Sequence, residues 1–280
     1  MRWKWSIPLI VCLLAGVALA RRAGDPLRPG FNLFSKDQDV QLGQENAQEV
    51  LKQYEVVQNQ SLQEYIRRVG DRLAAAPEAR GSGFKFTFTL LNVPQVNAFA
   101  LPGGPMFIFT GLFKPLENEG QLAGVMAHEM SHVILRHGTH EASKANLVKI
   151  PLALAGAATG SSMLGQLTQL GLGLTANSFI LKFSRDAESE ADALGSHLMS
   201  EAGYNPIEMA RFFEKLAASG NQGPQFLSDH PNPGNRERAI DQEIRTLQAH
   251  QYGYETGDFA RAKADILALP APRKLPSKGP

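Results

Sequence analysis

The residues best suited to chemistry lie in one pentapeptide, His128-Glu129-Met130-Ser131-His132, which matches the pattern H-E-x-x-H. Histidines four positions apart lie one above the other on a helix, so both imidazoles can reach the same metal ion. Glu129 is rotated by about 100° from His128, which leaves its carboxylate free to take a proton from an attacking water. The alternative is a chance match on a surface helix, because so short a string recurs across proteomes.

A third metal ligand must come from elsewhere in the chain. The segment Ser184–Asp192 is acidic and is expected to open a second helix, on which Glu188 and Asp192 share one face. Two such carboxylates repel each other by a few tenths of a kcal/mol, about the cost of any like-charged helical pair, unless a cation lies beside them. We therefore expect Glu188 to bind the metal and Asp192 to accept a proton from a ligating histidine. The alternative is a solvated helix start, which the helix dipole also favours.

Two histidines close to the motif, His137 and His140, are interpreted as solvated residues at the end of the motif helix, with Gly138 as its stop signal. The longer metzincin signature would require glycine at position 135 and histidine at position 138. The sequence has Leu135 and Gly138 there, which excludes that class. Two histidines outside any motif are assigned to solvent: His197 and His250.

The remaining elements follow from periodicity. A helical repeat begins at Ser35, and the capping box Ser61–Glu64 predicts a second helix start. Alternation over 84–90 predicts a half-buried strand, with short extended pieces at Asn97–Leu101 and Met106–Thr110. Helix and loop dominate beyond residue 116. The fold class is therefore α+β, mostly helical, with a small early β-sheet.

Composition excludes several classes of protein. The chain of 280 residues carries a net charge of +1, which gives no basic footprint for nucleic acid. Its single cysteine, Cys12, excludes a disulfide scaffold, a thiolate zinc finger and an iron–sulfur site. A catalytic site of histidines and carboxylates remains open.

The sequence predicts four segments. Residues 1–20 are a signal peptide, with an apolar run over 6–20 that ends in small residues; a retained anchor formed by this run is the alternative, and a lipid anchor is not expected. Residues 21–35 are a linker, 36–250 a metallopeptidase domain and 251–280 a C-terminal extension with a disordered Pro- and Lys-rich tail.

Several motifs together resemble one protein family. The segments are Asn97–Gly104, His128–His132 and Glu188–Asp192, followed by Asp229-His230-Pro231 and then Arg236. In combination they are similar to the zinc metallopeptidases of the CAAX-prenyl-protease and heat-shock HtpX type, and far more specific than H-E-x-x-H alone. The likeness extends roughly from Val40 to Ile244.

The resemblance implies a gluzincin with a zincin-like fold. One Zn²⁺ per chain would be held by His128, His132 and Glu188, with Glu129 as the general base and Asp192 behind the ligands. Two imidazoles and one carboxylate leave a fourth position open, as in catalytic rather than structural zinc sites.

The distal pair His230 and Arg236 supplies candidates for stabilising a developing oxyanion. Alternatively, His230 occupies the open position on zinc and keeps the enzyme latent until substrate arrives. A third interpretation is that 230–234 forms an ordinary rigid turn, with no part in the chemistry.

The substrate is expected along the strand formed by Asn97, Ala98, Phe99 and Ala100. If this strand is an exposed edge, it can pair with an extended polypeptide through backbone hydrogen bonds and so accept many sequences. The alternative is that Phe99 is simply part of the core.

The composition of the uncharged segment 151–181 indicates which branch of the family the chain resembles. Its glycines and amides argue against a membrane span, so we interpret it as helices or a loop over the active site. The chain then looks most like the soluble exported branch of BepA-like proteins. That branch implies a periplasmic zinc endopeptidase acting on misfolded or unassembled envelope proteins, with the outer-membrane assembly machinery as a partner. The alternative is a chaperone or assembly factor whose metal site is mostly latent.

Overall fold

A computed structural model describes six parts of the chain, namely residues 22–147, 162–169, 183–219, 225–230, 235–247 and 251–272. Some predictions lie outside these described residues: the signal peptide or anchor of 1–20, the solvent assignment of His250, the turn 231–234 and most of the segment 151–181. Among the helices that are described, none combines the length and apolarity that crossing a bilayer requires.

Within residues 22–86, three helices precede the sheet: α1 (Lys36–Gln53), α2 (Gln60–Ala74) and α3 (Pro77–Ser82). The Ser35 side chain caps α1 in a reciprocal capping box with Gln38. For α2 the predicted capping box is wrong, because the side chain that accepts the Leu62 N–H belongs to Asn59, one residue before the helix.

The sheet has three strands, β1 (Thr87–Leu91), β2 (Ala98–Ala100) and β3 (Pro105–Phe109), in the order β1-β3-β2. β1 runs parallel to β3 and β2 runs antiparallel to it, with Phe99 opposite Phe107. The short strand β2 therefore forms one edge of the described sheet.

The rest of the described chain is helical. After a 3₁₀ turn at Thr110–Phe113 come α4 (Glu119–Ile134), α5 (His137–Ala145), α6 (Met163–Gln169), α7 (Arg185–Glu201), α8 (Ile207–Ala218), α9 (Gln225–Asp229), α10 (Arg236–Ile244) and α11 (Phe259–Leu267). The predicted mostly helical α+β fold with a small early sheet is confirmed.

Helix α4 lies at the centre of the molecule, and all of its residues are buried. Its main partner is α7. The two backbones approach closely at Gly195, where a Cβ atom would lie 3.3 Å from the backbone nitrogen of His128. A larger residue at position 195 would push α7 away from the motif, so this glycine helps to set the distance between the two helices.

The segment after residue 250 packs against the same core. The carboxylate of Glu119, fully buried at the start of α4, accepts hydrogen bonds from the hydroxyls of Tyr65 and Tyr204 and from the backbone N–H of Thr256. Ala262 and Ile266 of α11 are buried in the main hydrophobic cluster. The predicted C-terminal extension thus contributes to the folded core up to α11.

The assignment of His197 to solvent is wrong. Its side chain is only 19% exposed, with Nε2 2.8 Å from Glu243 Oε1 and Nδ1 3.4 Å from Glu78 Oε1. It therefore bridges α3 and α10 from its position on α7. Burial alone would lower the pKa of His197, but the two carboxylates outweigh it and raise the pKa to about 9.

We expect this bridge to make stability depend on pH. An unfolded histidine has a pKa of about 6.5, so the stabilisation is fully present below that pH and is lost as the pH rises through about 9. Urea unfolding of the metal-free protein at pH 6 and pH 9.5 measures it. Between these values the wild type should lose about 2 kcal/mol more stability than His197→Gln, which cannot titrate. Equal losses in the two proteins would contradict the assignment.

Candidate metal centre

Four buried side chains converge between α4, α7 and the end of α9. They are His128 and His132 on α4, Glu188 on α7, and His230 immediately after α9, and each offers a ligand atom within 4.8 Å of the others. The structure thus brings the three sequence-predicted metal ligands together. It adds His230, for which metal binding was only one of the three roles that the sequence suggested.

Local structure explains how these atoms meet. His128 and His132 are one helical turn apart on α4, and their ring centroids lie 4.7 Å apart. The Ser184 side chain caps α7 by accepting the backbone N–H of Ala187, which places Glu188 in the first turn. Packing of α7 on α4 then directs that carboxylate at both imidazoles.

The atoms lie close together. His128 Nε2 is 3.1 Å from His132 Nε2 and 3.2 Å from His230 Nδ1. The Glu188 carboxylate lies 3.1 Å from His230 Nδ1, 3.4 Å from His128 Nε2 and 3.5 Å from His132 Nε2. Three imidazole nitrogens and a carboxylate this close together are a donor set that a divalent metal ion takes in proteins.

Two charged side chains stand behind these ligands. Asp192 Oδ1 lies 3.0 Å from His128 Nδ1. Arg236 is fully buried, donates through Nη2 to Glu188 Oε2 at 2.8 Å, and has Nε 2.8 Å from Asp192 Oδ2. Its guanidinium lies 4.3 Å from the ring centroid of Phe213. The structure thus places Arg236 against the two carboxylates, where it fixes their orientation.

Burial and mutual contact perturb the titration of the metal-free cluster. Burial would lower the pKa of His128, but hydrogen bonds to Asp192 and Glu188 raise it to about 9. Burial and the charge on His128 hold the pKa of His132 well below its usual value. The pKa of Glu188 is also low, because the neighbouring imidazoles outweigh the effect of burial.

Glu129 lies at the boundary between this cluster and the sheet. It is almost fully buried, with Oε1 3.2 Å from His230 Nε2, and Oε2 accepts the backbone N–H of Ala100 at 3.2 Å. Burial raises the pKa of its carboxyl group. Glu129 is absent from the convergent ligand set, as its position on the helix predicted.

The edge strand is less open than expected. Asn97, Ala98 and Phe99 are buried, and only Ala100 is partly exposed. Phe99 packs against Phe107 with ring centroids 5.3 Å apart, so its side chain belongs to the core. The Ala98 and Ala100 peptide groups point away from β3, because 97 and 101 make the neighbouring bonds to it.

The interpretation of His137 as a solvated helix end is wrong. α4 ends at Ile134, and Arg136 adopts a left-handed conformation (φ 57°) that turns the chain into α5, so Gly138 does not stop the helix. His137 is buried, with Nδ1 2.9 Å from Nδ1 of His132. His140, one turn later, is partly buried and contacts the carbonyl of Phe31.

Helical periodicity gave no signal for this contact. A residue five positions after His132 on a continuous helix lies about 140° around the axis, away from the metal face. The left-handed residue breaks the helix and reverses that expectation. Only Asn and Gly commonly mark such turns, and this position carries arginine.

Known proteins match this chain over most of its length. The family described as Peptidase family M48 matches residues 60–244. Beta-barrel assembly-enhancing protease from Yersinia pestis and from Escherichia coli K12 are each 31% identical over 246 residues, covering 84% of this chain and 50% of the relative. Mitochondrial metalloendopeptidase OMA1 of Schizosaccharomyces pombe is 33% identical over 239 residues, covering 82% of this chain and 67% of the relative. The chain thus spans about half the length of the bacterial relatives.

Proposed function

We propose a function for this chain, which belongs to peptidase family M48. It is a zinc endopeptidase for misfolded or unassembled envelope proteins. The single observation that carries the proposal is the convergence of His128, His132 and Glu188 beside Glu129. The name of the bacterial relatives, beta-barrel assembly-enhancing protease, supports a role beside the outer-membrane assembly machinery. Residues 1–20 would direct export to the periplasm, or tether the protein to the inner membrane through 6–20.

The spacing of the ligand atoms supports zinc. With bonds of about 2.0–2.1 Å, the corners of a zinc tetrahedron lie roughly 3.3 Å apart. Five separations, between imidazole nitrogens of His128, His132 and His230 or from these to one of the two Glu188 oxygens, run from 3.1 to 3.5 Å. These distances are compatible with one Zn²⁺ per chain, and Asp192 would fix the tautomer of His128 from behind.

When bound, zinc supplies a Lewis acid that polarises a peptide carbonyl and makes water acidic enough to ionise near neutral pH. Glu129 then takes the proton from the attacking water and gives it to the leaving amine. Its Oε2 is held by the Ala100 N–H, so Oε1 is the oxygen left for this transfer. Arg236 acts here as a positioning residue for Glu188 and Asp192 rather than at the oxyanion, the role that the sequence first offered it.

His230 is best explained as a displaceable fourth ligand. Its Nδ1 lies in the ligand set, so the site is closed in this conformation, and catalytic zinc sites need an open position. His230 also lies against Glu129, the proposed base. Substrate must therefore move His230 before the reaction, which makes the enzyme latent by default.

Substrate binding is assigned to the edge strand β2. The outward carbonyl groups of Ala98 and Ala100 would pair with an extended segment of substrate. Their N–H groups already donate to Asn97 Oδ1 and to Glu129 Oε2. Such pairing reads the backbone, so unfolded segments of many sequences would qualify. The side chains of Asn97 and Phe99 would support the strand from the buried side.

Replacing the base should separate chemistry from metal binding. Glu129→Gln removes the proton acceptor but no ligand, so we expect cleavage of casein or an unfolded porin to fall by about 10²–10⁴-fold. The zinc content, measured by elemental analysis, should stay at one ion per chain. Chelation of the wild type should abolish cleavage, and added Zn²⁺ should restore it. If porin assembly and processing both survive in the Glu129→Gln variant, the chaperone function with a latent metal site replaces the peptidase.

Replacing the fourth ligand should have the opposite effect. His230→Ala opens one position for water, so we expect the rate of casein cleavage to rise several-fold while zinc remains bound by the other three ligands. The initial rate at saturating casein, normalised to bound zinc, measures the change. A fall in this rate would instead assign His230 a helping role in the transition state.

A further inference from the structure

A series of hydrogen-bonding side chains leads from the proposed metal ligand His132 to the surface. His132 Nδ1, the ring nitrogen away from the ligand cluster, lies 2.9 Å from Nδ1 of His137. The other nitrogen of His137, Nε2, lies 3.1 Å from Oε2 of Glu190. The side chain of His137 is 5% exposed and that of Glu190 is 40% exposed, so this series of side chains leads outward from the buried site.

Metal binding would fix which nitrogen carries the proton in each of these two imidazole rings. A metal ion on Nε2 of His132 leaves the proton of the neutral ring on Nδ1. That N–H can donate only if Nδ1 of His137 accepts, so His137 must carry its own proton on Nε2. Nε2–H then donates to the carboxylate of Glu190, which can only accept when ionised.

We propose that His137 and Glu190 are positioning residues that orient His132 and strengthen its bond to the metal. This inference rests on the zinc site proposed above. On this proposal, each of the two histidine ligands on α4 is oriented by a carboxylate. Asp192 supports His128 directly, and Glu190 supports His132 through the imidazole of His137. Both carboxylates come from α7, two residues apart.

The packing around His132 agrees with this role. Phe183 stacks on the His132 ring with centroids 4.0 Å apart and an angle of 19° between planes, which restricts the tilt of the ring. Stacking alone does not distinguish the two orientations of the ring that are related by a 180° flip. The contact with His137 selects one of them, because it requires Nδ1 to point at a fixed acceptor.

The test measures the zinc affinity of the full-length chain by competition with a chromophoric chelator. His137→Ala removes the acceptor, and we expect zinc to bind about 10–100-fold more weakly. His137→Asn places an amide oxygen where Nδ1 lies but cannot reach Glu190, so the loss should be smaller. Glu190→Gln removes the charge alone and should also cost less than the alanine substitution.

A double substitution gives the sharpest readout. Glu190→Gln should weaken zinc binding in the wild type but have no further effect in the His137→Asn background, where the connection is already broken. Two residues with separate structural roles would instead show additive losses. The Co²⁺ absorption spectrum of each variant reports whether the ligand geometry changes.

Matched controls lie on α5. His140→Ala removes a histidine that contacts the Phe31 carbonyl, and Glu141→Gln neutralises a carboxylate paired with Lys144; both should bind zinc like the wild type. Urea unfolding of the metal-free proteins identifies any variant that fails to fold. If His137→Ala does not fold, His137→Asn and Glu190→Gln carry the test.

The outcomes are distinct. Zinc affinities of all His137 and Glu190 variants within about twofold of a zinc-binding wild type would overturn the positioning role and leave the proposed function intact. A wild type that binds no zinc would overturn the proposed function itself.

Discussion

The structure depends on burying several ionisable groups between α4 and α7. An isolated buried charge costs several kcal/mol, so each group must be compensated by a neighbour. The compensation is reciprocal. Asp192 uses one oxygen for His128 and the other for Arg236. Glu188 directs Oε1 at His132 and His230, and Oε2 at Arg236 and His128. A single arginine thus contacts both carboxylates and fixes their direction beside the histidines.

This arrangement requires α10 to be part of the active domain. Arg236 is the first residue of α10, although it is far from α4 in sequence, and its guanidinium rests on the ring of Phe213 from α8. Removing one partner from such a buried network costs about 3–5 kcal/mol, because the other charges remain buried without compensation. The same contacts that assemble the site therefore hold α4, α7, α8 and α10 together, and folding and metal binding are energetically linked.

The sequence predicted the parts of the site that lie on regular helices. The spacing of the H-E-x-x-H motif and the four-residue interval between Glu188 and Asp192 fix the relative directions of these side chains, because a helix has one geometry. The contacts of His137 and His197 escaped prediction for a different reason. His137 depends on one left-handed backbone residue, and His197 depends on partners from α3 and α10. Neither a reversal of the chain at an arginine nor a pairing of distant helices leaves a periodic pattern.

In the proposed peptidase, the proximity of the edge strand to Glu129 would link substrate binding to catalysis. The Ala100 N–H that would otherwise be available to an incoming strand already donates to Oε2 of the proposed base. This hydrogen bond links the strand to the base, so on the proposed function an extended substrate that pairs with β2 would be placed at a defined distance from Oε1 of Glu129. The small side chains of Ala98 and Ala100 allow a polypeptide backbone to come close. Alignment of a flexible substrate by a preformed strand removes much of the entropic barrier to reaction, and it does so without reading the side chains of the substrate.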